Sequence, residues 1–254
     1  MQALDQLNIA NLTSLWQKMG VEDHSEFATD GLSISPTWPN RFWFEWHATS
    51  AQINELNHFL HCLPTRAVIP VWTGAGEQAA QLERYLQDEC FQILFEQLAM
   101  YLDLKTIVQQ DFQTLTQQDF SPLNIIKVQT TPELIAWTET ASAAFGYWID
   151  INALQPLIAD SNVQLLLVKK NDQPAATALI YKTGDIIGAH LVGVRENFRG
   201  QGIAKNLMLL VIQQAVVMGG KYLTLQASAA GEPLYRNLGF VAQFVIKNYQ
   251  RVEK

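Results

Sequence analysis

The chain has 254 residues, 48% hydrophobic, 16% charged and 10% aromatic, with a formal net charge of −7. That length can bury one large core or two smaller ones, and no apolar run is long enough to span a bilayer. The negative balance argues against nucleic acid as a bulk partner, and the opening MQALDQLNIANLTSLW lacks the basic and apolar regions of a secretory signal.

In chain order, Gln2–Lys18 reads as an amphipathic helix and Arg41–His47 alternates like a strand. Ala51–Leu63 is a helix stopped by Pro64, Arg66–Trp72 is β-rich, Gly76–Asp88 is helical, and Phe91–Leu104 is apolar and β-capable. The polar, proline-containing stretch Gln113–Pro122 reads as a linker. It divides the chain into an accessory or degenerate α/β domain over 1–120 and a second domain over 121–254. The two cysteines, Cys62 and Cys90, show no metal spacing. They are expected to be buried thiols in a reducing cytoplasm, and no metal site is expected.

The second half alternates strand and helix. Asn124–Gln129 is a short strand, and Thr131 as cap with Pro132 opens a helix that stops at Gly146. Asp150–Asp160 is a second short helix, Val163–Lys170 a strand, Asn171–Asp172 a turn, and Ala175–Tyr181 another strand. Lys182–Asp185 turns the chain into the apolar strand Ile186–Val194. A helix over Gly202–Met218 ends at Gly219–Gly220. Tyr222–Ala227 is a strand, Pro233–Asn237 a short helix, and Val241–Arg251 a final β pair. Charge divides with the halves. Residues 1–120 hold 5 Lys/Arg against 15 Asp/Glu, a balance of −10, and residues 121–254 hold 12 against 9, a balance of +3. The acidic half would attract a cationic amine, although keeping the protein soluble is its plainer role.

The most informative stretch is the loop Arg199–Gly200–Gln201–Gly202–Ile203–Ala204 between the strand Ile186–Val194 and the following helix. A strand that feeds a Gly loop into a helix N-terminus is an anion-binding device, because the first turn has unpaired N–H groups and partial positive charge. Gly200 and Gly202 let backbone approach a bulky diphosphate, Ala204 keeps the first turn open, and Arg199 and Lys205 add positive charge. Arg-x-x-Gly-x-Ala is neither the Rossmann pattern nor a P-loop. It resembles the acyl-CoA pyrophosphate loop of the GNAT acetyltransferase superfamily. Downstream, Ser228–Ala229–Ala230–Gly231–Glu232–Pro233–Leu234–Tyr235–Arg236–Asn237–Leu238–Gly239–Phe240 looks like the family segment in which a strand, a short helix with a tyrosine and a Leu-Gly-Phe turn follow the CoA helix.

The resemblance covers residues 124–254 well and the first 120 weakly. It implies an α/β (α+β) GNAT fold, a mixed central sheet flanked by helices. The run Arg84–Phe91 is similar in kind to Leu234–Phe240, so a tandem arrangement with a degenerate N-terminal copy is one reading, and chance likeness of two amphipathic segments the other. The N-terminal half has no Arg-x-x-Gly-x-Ala loop, and Gly74–Ala75–Gly76 has no flanking basic residue, so CoA binding is not expected there.

The resemblance further implies acetyl transfer from acetyl-CoA to a primary amine by direct attack, in a cytoplasmic protein. The pyrophosphate would lie on the N–H groups of Gly200, Gln201, Gly202, Ile203, Ala204 and Lys205. The pantetheine arm would lie along Val192, Gly193 and Val194, with Gly193 where backbone and ligand approach closely. Many family members carry Asn where this chain has Ser228, which can still hydrogen-bond the arm. Tyr235 would be the general acid that protonates the departing sulfur, since a phenol is protonated at neutral pH. The base is open between His190, Glu232, Asp185 and a water chain. Tyr147 and Trp148 either wall an acceptor pocket or pack in the core, and the core is the plainer expectation. Two other functions fit the same residues: a non-catalytic acyl-CoA-binding regulatory module, and a protein that docks a basic partner on its acidic half.

Overall fold

The computed structural model describes residues 2–20, 32–35, 37–46, 49–55, 63–110 and 123–252. They divide into two compact units, each assembled from more than one stretch of chain. The first takes Met1–Met100, Gln226–Asn237 and Val241–Lys254, and the second Tyr101–Leu225 and Leu238–Phe240.

The first unit begins with α1 (Gln2–Met19), β1 (Leu32–Ser35), β2 (Arg41–Phe44), α2 (Ser50–Glu55), β3 (Val68–Trp72), α3 (Glu77–Asp88) and β4 (Phe91–Asp103), the last continuing into the second unit. The second unit holds α4 (Leu104–Gln110), β5 (Leu123–Lys127), α5 (Thr131–Phe145), α6 (Ile151–Leu154), β6 (Val163–Lys170), β7 (Gln173–Thr183), β8 (Ile186–Val194), α7 (Ile203–Val217) and β9 (Tyr222–Ala227), whose last two residues fall in the first unit. The helix α8 (Glu232–Asn237) and the strand β10 (Val241–Arg251) then belong to the first unit.

In the first unit the strand order is β1-β2-β3-β10-β4. β10 pairs antiparallel with β3, Ile246 opposite Trp72 and Gln250 opposite Val68. The expected β pair over Val241–Arg251 is therefore one eleven-residue strand. All five residues of β3 are buried, which requires cover on both faces. One apolar cluster joins Phe42, Phe44, Ile69, Val71, Leu82, Leu86 and Tyr249. A second joins Ile9, Leu12 and Trp16 of α1 to Trp43, Trp46, Trp72, Phe244 and Ile246. Trp16 meets Trp43 edge-on at 5.4 Å and stacks on Trp72 at 6.2 Å, arrangements that add to simple area burial. Gly74 is fixed by this packing: a Cβ there would stand 2.9 Å from Phe244 and Trp46.

In the second unit the order is β9-β8-β7-β6-β5, antiparallel except for the parallel β8–β9 pair. The β6–β7 hairpin turns on Asn171 and Asp172, both with positive φ, the geometry that matches the twist of the flanking strands. Residues 175–181 of β7 are buried without interruption, so both faces are covered, and α5 and α7 pack against this strand. The indole of Trp137 donates to the Leu166 carbonyl at 3.0 Å. The cap of α5 is Thr130 rather than Thr131: its side chain accepts from the N–H of Glu133, whose carboxylate accepts from the Thr130 N–H. Glu133 lies three residues after Thr130, the spacing a capping box needs. The expected helix over Asp150–Asp160 is α6 followed by a 3₁₀ turn over Gln155–Ala159, capped by Asp150.

Cys90 is exposed, at a turn with φ of 64°, which corrects the expectation of a buried thiol there. Cys62 and the expected linker over Gln113–Pro122 lie outside the described residues. Among the described residues no helix is long and apolar enough to cross a membrane, and no cluster of ligands fit for a metal ion occurs.

Candidate functional site

The strand that leads into the glycine loop is irregular where it matters. β8 pairs with β9 only through Ile186, Ile187 and Gly188. On the other side, Leu179 of β7 opposes His190 but Thr177 opposes Gly193, so β8 carries one extra residue: a bulge. Leu191 sits in it with φ of 48°, a strained conformation for a bulky residue. The Thr177 hydroxyl, which donates to the Leu191 carbonyl at 3.1 Å, holds it there. Burial changes at the same point. Ile186–His190 is buried, and Leu191–Val194 is half-buried. Beyond the bulge Gly193 and Val194 stay paired with β7, opposite Thr177 and Ala176, while the pairing with β9 has ended at Gly188, so the other edge of Leu191–Val194 has no strand partner among the described residues.

Gly193 is required for a reason the sequence reading did not supply. A Cβ on it would meet Phe145 at 2.9 Å and Ala144 at 3.0 Å, so the close approach is that of the end of α5. Arg199 fastens the same corner. Its guanidinium donates to the Val194 carbonyl at 3.1 Å and to the Ala144 carbonyl at 2.9 Å, closing the last turn of α5 onto the loop.

Beyond Arg199 the loop opens. Gly200 and Gly202 have φ of 72° and 76° with nothing within 4 Å of their Cβ positions. They are needed for left-handed backbone, and the space above them is empty. Gly202 caps α7 without any side-chain bond. Among the described residues, no backbone N–H from Gly200 to Lys205 finds an acceptor. These six donors belong to the loop and first turn at the positive end of a fifteen-residue helix. Gln201 accepts from Lys170 at 2.5 Å and donates to the Asn197 carbonyl at 3.2 Å, which stiffens the loop. Ile203 is buried and anchors the first turn, while Lys205 is exposed. His190 is 7% exposed, on β8 before the bulge. Asp185 pairs with Lys221 at 2.6 Å at the opposite end of β8. Tyr147 and Trp148 are 50% and 67% exposed, which overturns the core expectation for both. They follow α5, where Phe145 stacks tilted against Tyr147 at 5.7 Å.

The remaining residues gather in the first unit. The Ser228 hydroxyl accepts from the Gly231 N–H at 3.2 Å, and its carbonyl accepts from the Glu232 N–H at 2.9 Å, so Ser228 builds the turn that starts α8. The Glu232 carboxylate is bound by Arg236 at 2.7 Å. Tyr235 is buried, and burial pushes its phenol up to about 12; it therefore stays protonated throughout the physiological range. Sequence reasoning missed the bulge at Leu191 and the anchoring role of Arg199, neither of which has a periodic or compositional signal.

A helix N-terminus without a side-chain cap, behind a bulged strand on a mixed sheet, can bind an anion through its backbone. Residues 125–251 match the family described as acetyltransferase (GNAT) domain, and the chain belongs to that family. No curated protein matches it. Among solved structures, it is similar to a GCN5-related N-acetyltransferase from Kribbella flavida, at 16% identity and TM-score 0.61 over 84% of this chain and 82% of that one. A conserved protein of unknown function from Staphylococcus epidermidis is similar at 18% identity and TM-score 0.62, over 92% and 98%. A GCN5-related N-acetyltransferase-like protein from Streptococcus suis follows 98% of this chain over 99% of its own at 14% identity and TM-score 0.54. These likenesses establish the fold, a mixed sheet flanked by helices.

Proposed function

We propose that the protein transfers an acetyl group from acetyl-CoA to a primary amine by direct attack. The observation that carries this is the set of six N–H groups over Gly200–Lys205 that have no acceptor among the described residues, a cradle for a diphosphate. Val192, Gly193 and Val194 of the splayed strand would pair with the pantetheine arm, and Ser228 would hydrogen-bond it. The amine nitrogen attacks the thioester carbonyl carbon, the C–S bond breaks, and the sulfur takes the phenolic proton of Tyr235. A thioester is already activated, so no covalent enzyme intermediate is needed. The amine's proton goes to His190 or to solvent water. Glu232 is the weaker candidate, because Arg236 already occupies its carboxylate.

Replacement of Tyr235 by Phe tests the chemistry. It removes one hydroxyl and keeps the ring, so acetyl-CoA affinity by calorimetry should stay at the wild-type value while kcat falls about a hundred-fold, the usual scale of acid catalysis. Full activity in Tyr235→Phe would make Tyr235 a packing residue. In wild type the proton donor should persist well above pH 10, since the phenol titrates at about 12. A matching His190→Gln variant separates the two routes for the amine's proton: loss of the acidic limb of the kcat/KM profile assigns the base to His190, and an unchanged limb assigns it to water.

A further inference from the structure

The first helix of the chain is tied to the segment that carries Tyr235. α1 buries Asn8 completely, an unusual cost unless every polar atom is used. Its amide nitrogen donates to the Met100 carbonyl at 3.3 Å and to Gln243 at 2.6 Å. Its amide oxygen accepts from Gln226 at 2.8 Å, across 218 positions of sequence. Gln243 passes the chain on to Asp5 at 2.7 Å, and Gln97 donates to the Gln226 carbonyl at 3.4 Å. Gln226 is therefore held by side chain and backbone alike. Two residues later comes Ser228, whose hydroxyl and carbonyl set the turn at Gly231. The Gly231 carbonyl in turn accepts from the N–H groups of Leu234 and Tyr235 at 3.1 and 3.3 Å. Gly231 also packs on the phenol itself: a Cβ there would stand 3.0 Å from the Tyr235 ring.

We infer that Asn8 is a positioning residue for Tyr235: through Gln226 it fixes the end of β9 and so the turn from which the tyrosine projects. This rests on the proposed role of Tyr235 as proton donor, and gives the N-terminal half a part in the reaction although it has no donor loop of its own. Only a primary amide can accept one hydrogen bond and donate two at this point, which neither a carboxylate nor a hydroxyl does.

The test uses the full chain, Asn8→Ala and Gln226→Met, each alone and combined with Tyr235→Phe. Thiol release from acetyl-CoA is followed with spermidine, lysine, kanamycin and a short peptide as probe amines. Asn8→Ala should lower kcat about ten-fold, with KM for acetyl-CoA unchanged and no further loss when Tyr235 is already Phe, the non-additivity of residues that act as one unit. Tyr249→Phe removes a part-buried bond to Glu83 at 2.6 Å elsewhere in the same unit; it should lower the melting temperature and leave kcat alone. Impaired Tyr235→Phe with unimpaired Asn8→Ala and Gln226→Met overturns the inference and leaves the role of Tyr235 standing. Equal losses from Asn8→Ala in both backgrounds overturn it too, and a fully active Tyr235→Phe removes its basis. Should Asn8→Ala not fold, Gln226→Met, which keeps shape and deletes only the amide, is read by the same criteria. Should none of the four amines react, amide hydrogen exchange decides: faster exchange at Leu234 and Tyr235 with α3 unchanged upholds the inference, and a uniform rise across the unit overturns it.

Discussion

Two helices of the second unit, α5 and α7, are each fifteen residues long, and their N-termini are opposites. At α5 the donors are consumed from within: Thr130 and Glu133 cap each other, and the Glu133 carboxylate also accepts from the Gln129 N–H at 2.9 Å. At α7 a glycine stands at the cap, no acidic residue occupies the first turn, and the N–H groups find no acceptor among the described residues. A helix with an open N-terminus gives up roughly the 1 kcal/mol that a cap contributes. The contrast teaches that an open end is informative only beside a closed one. The same unit caps the helix that serves structure and leaves bare the one that we propose serves acetyl-CoA.

Closing the open end by mutation should give the largest effect. Gly202→Asp places a carboxylate where the pyrophosphate would lie. A unit charge about 4 Å from another costs on the order of 4 kcal/mol at the effective dielectric of a protein surface, so acetyl-CoA affinity by calorimetry should fall about a thousand-fold. Folding should tolerate the change, because Asp is a good cap and one of the residues least penalised in left-handed backbone. Unchanged affinity would remove the loop from the donor site.

Arg199→Lys probes the corner between the two helices. The guanidinium reaches the carbonyls of Val194 and Ala144 together, which a single ammonium on a flexible stem does not reproduce. The loop should lose its fixed start, and acetyl-CoA affinity should drop about ten-fold, or about 1.4 kcal/mol. Retained affinity with a lowered melting temperature would make Arg199 a purely structural clamp.

The sequence was most legible where one force dominates. The apolar runs Val163–Lys170, Ile186–Val194 and Tyr222–Ala227 are strands with those same bounds, because such runs have few alternatives to a buried sheet. The open loop was legible because two glycines and an unpaired helix start leave a pattern. What failed depended on distant partners. The β pair expected over Val241–Arg251 is one strand, and Asn248 within it is 1% exposed. The amphipathic pattern of Gln2–Lys18 does not announce that Asn8 lies buried among amides contributed from three other places in the chain. Trp148 reads as core and is open to solvent. Leu191 has a positive φ that nothing in a leucine announces.

Opening the closed end should be felt in stability and not in binding. Thr130→Ala leaves the Glu133 N–H without its acceptor and should cost about 1 kcal/mol of unfolding free energy in denaturant titration. Acetyl-CoA affinity should be unchanged. A weakened affinity would mean that α5 and the loop are coupled through more than the Arg199 clamp.

The smallest effect concerns the charge at that cap. The Gln129 N–H first, then Thr130 by side chain and backbone, hold the Glu133 carboxyl below its ordinary value of 4.5. A group whose pKa is lowered by folding contributes stability above its unfolded pKa, and that contribution is lost as pH falls through the folded one. The contribution of Glu133 should therefore be complete above about pH 5 and fade below about pH 4.5. Glu133→Gln keeps an acceptor of the right length for the capping box but cannot titrate. Its melting temperature should decline less than that of wild type between about pH 5 and about pH 3, and match the wild-type slope above that window. The residue is only partly buried, so added salt should shrink the difference between the two proteins. Parallel melting curves across the acid range would show that the carboxylate's hydrogen bonds, and not its charge, close this helix. The open end of α7 would then differ from it in hydrogen bonding alone.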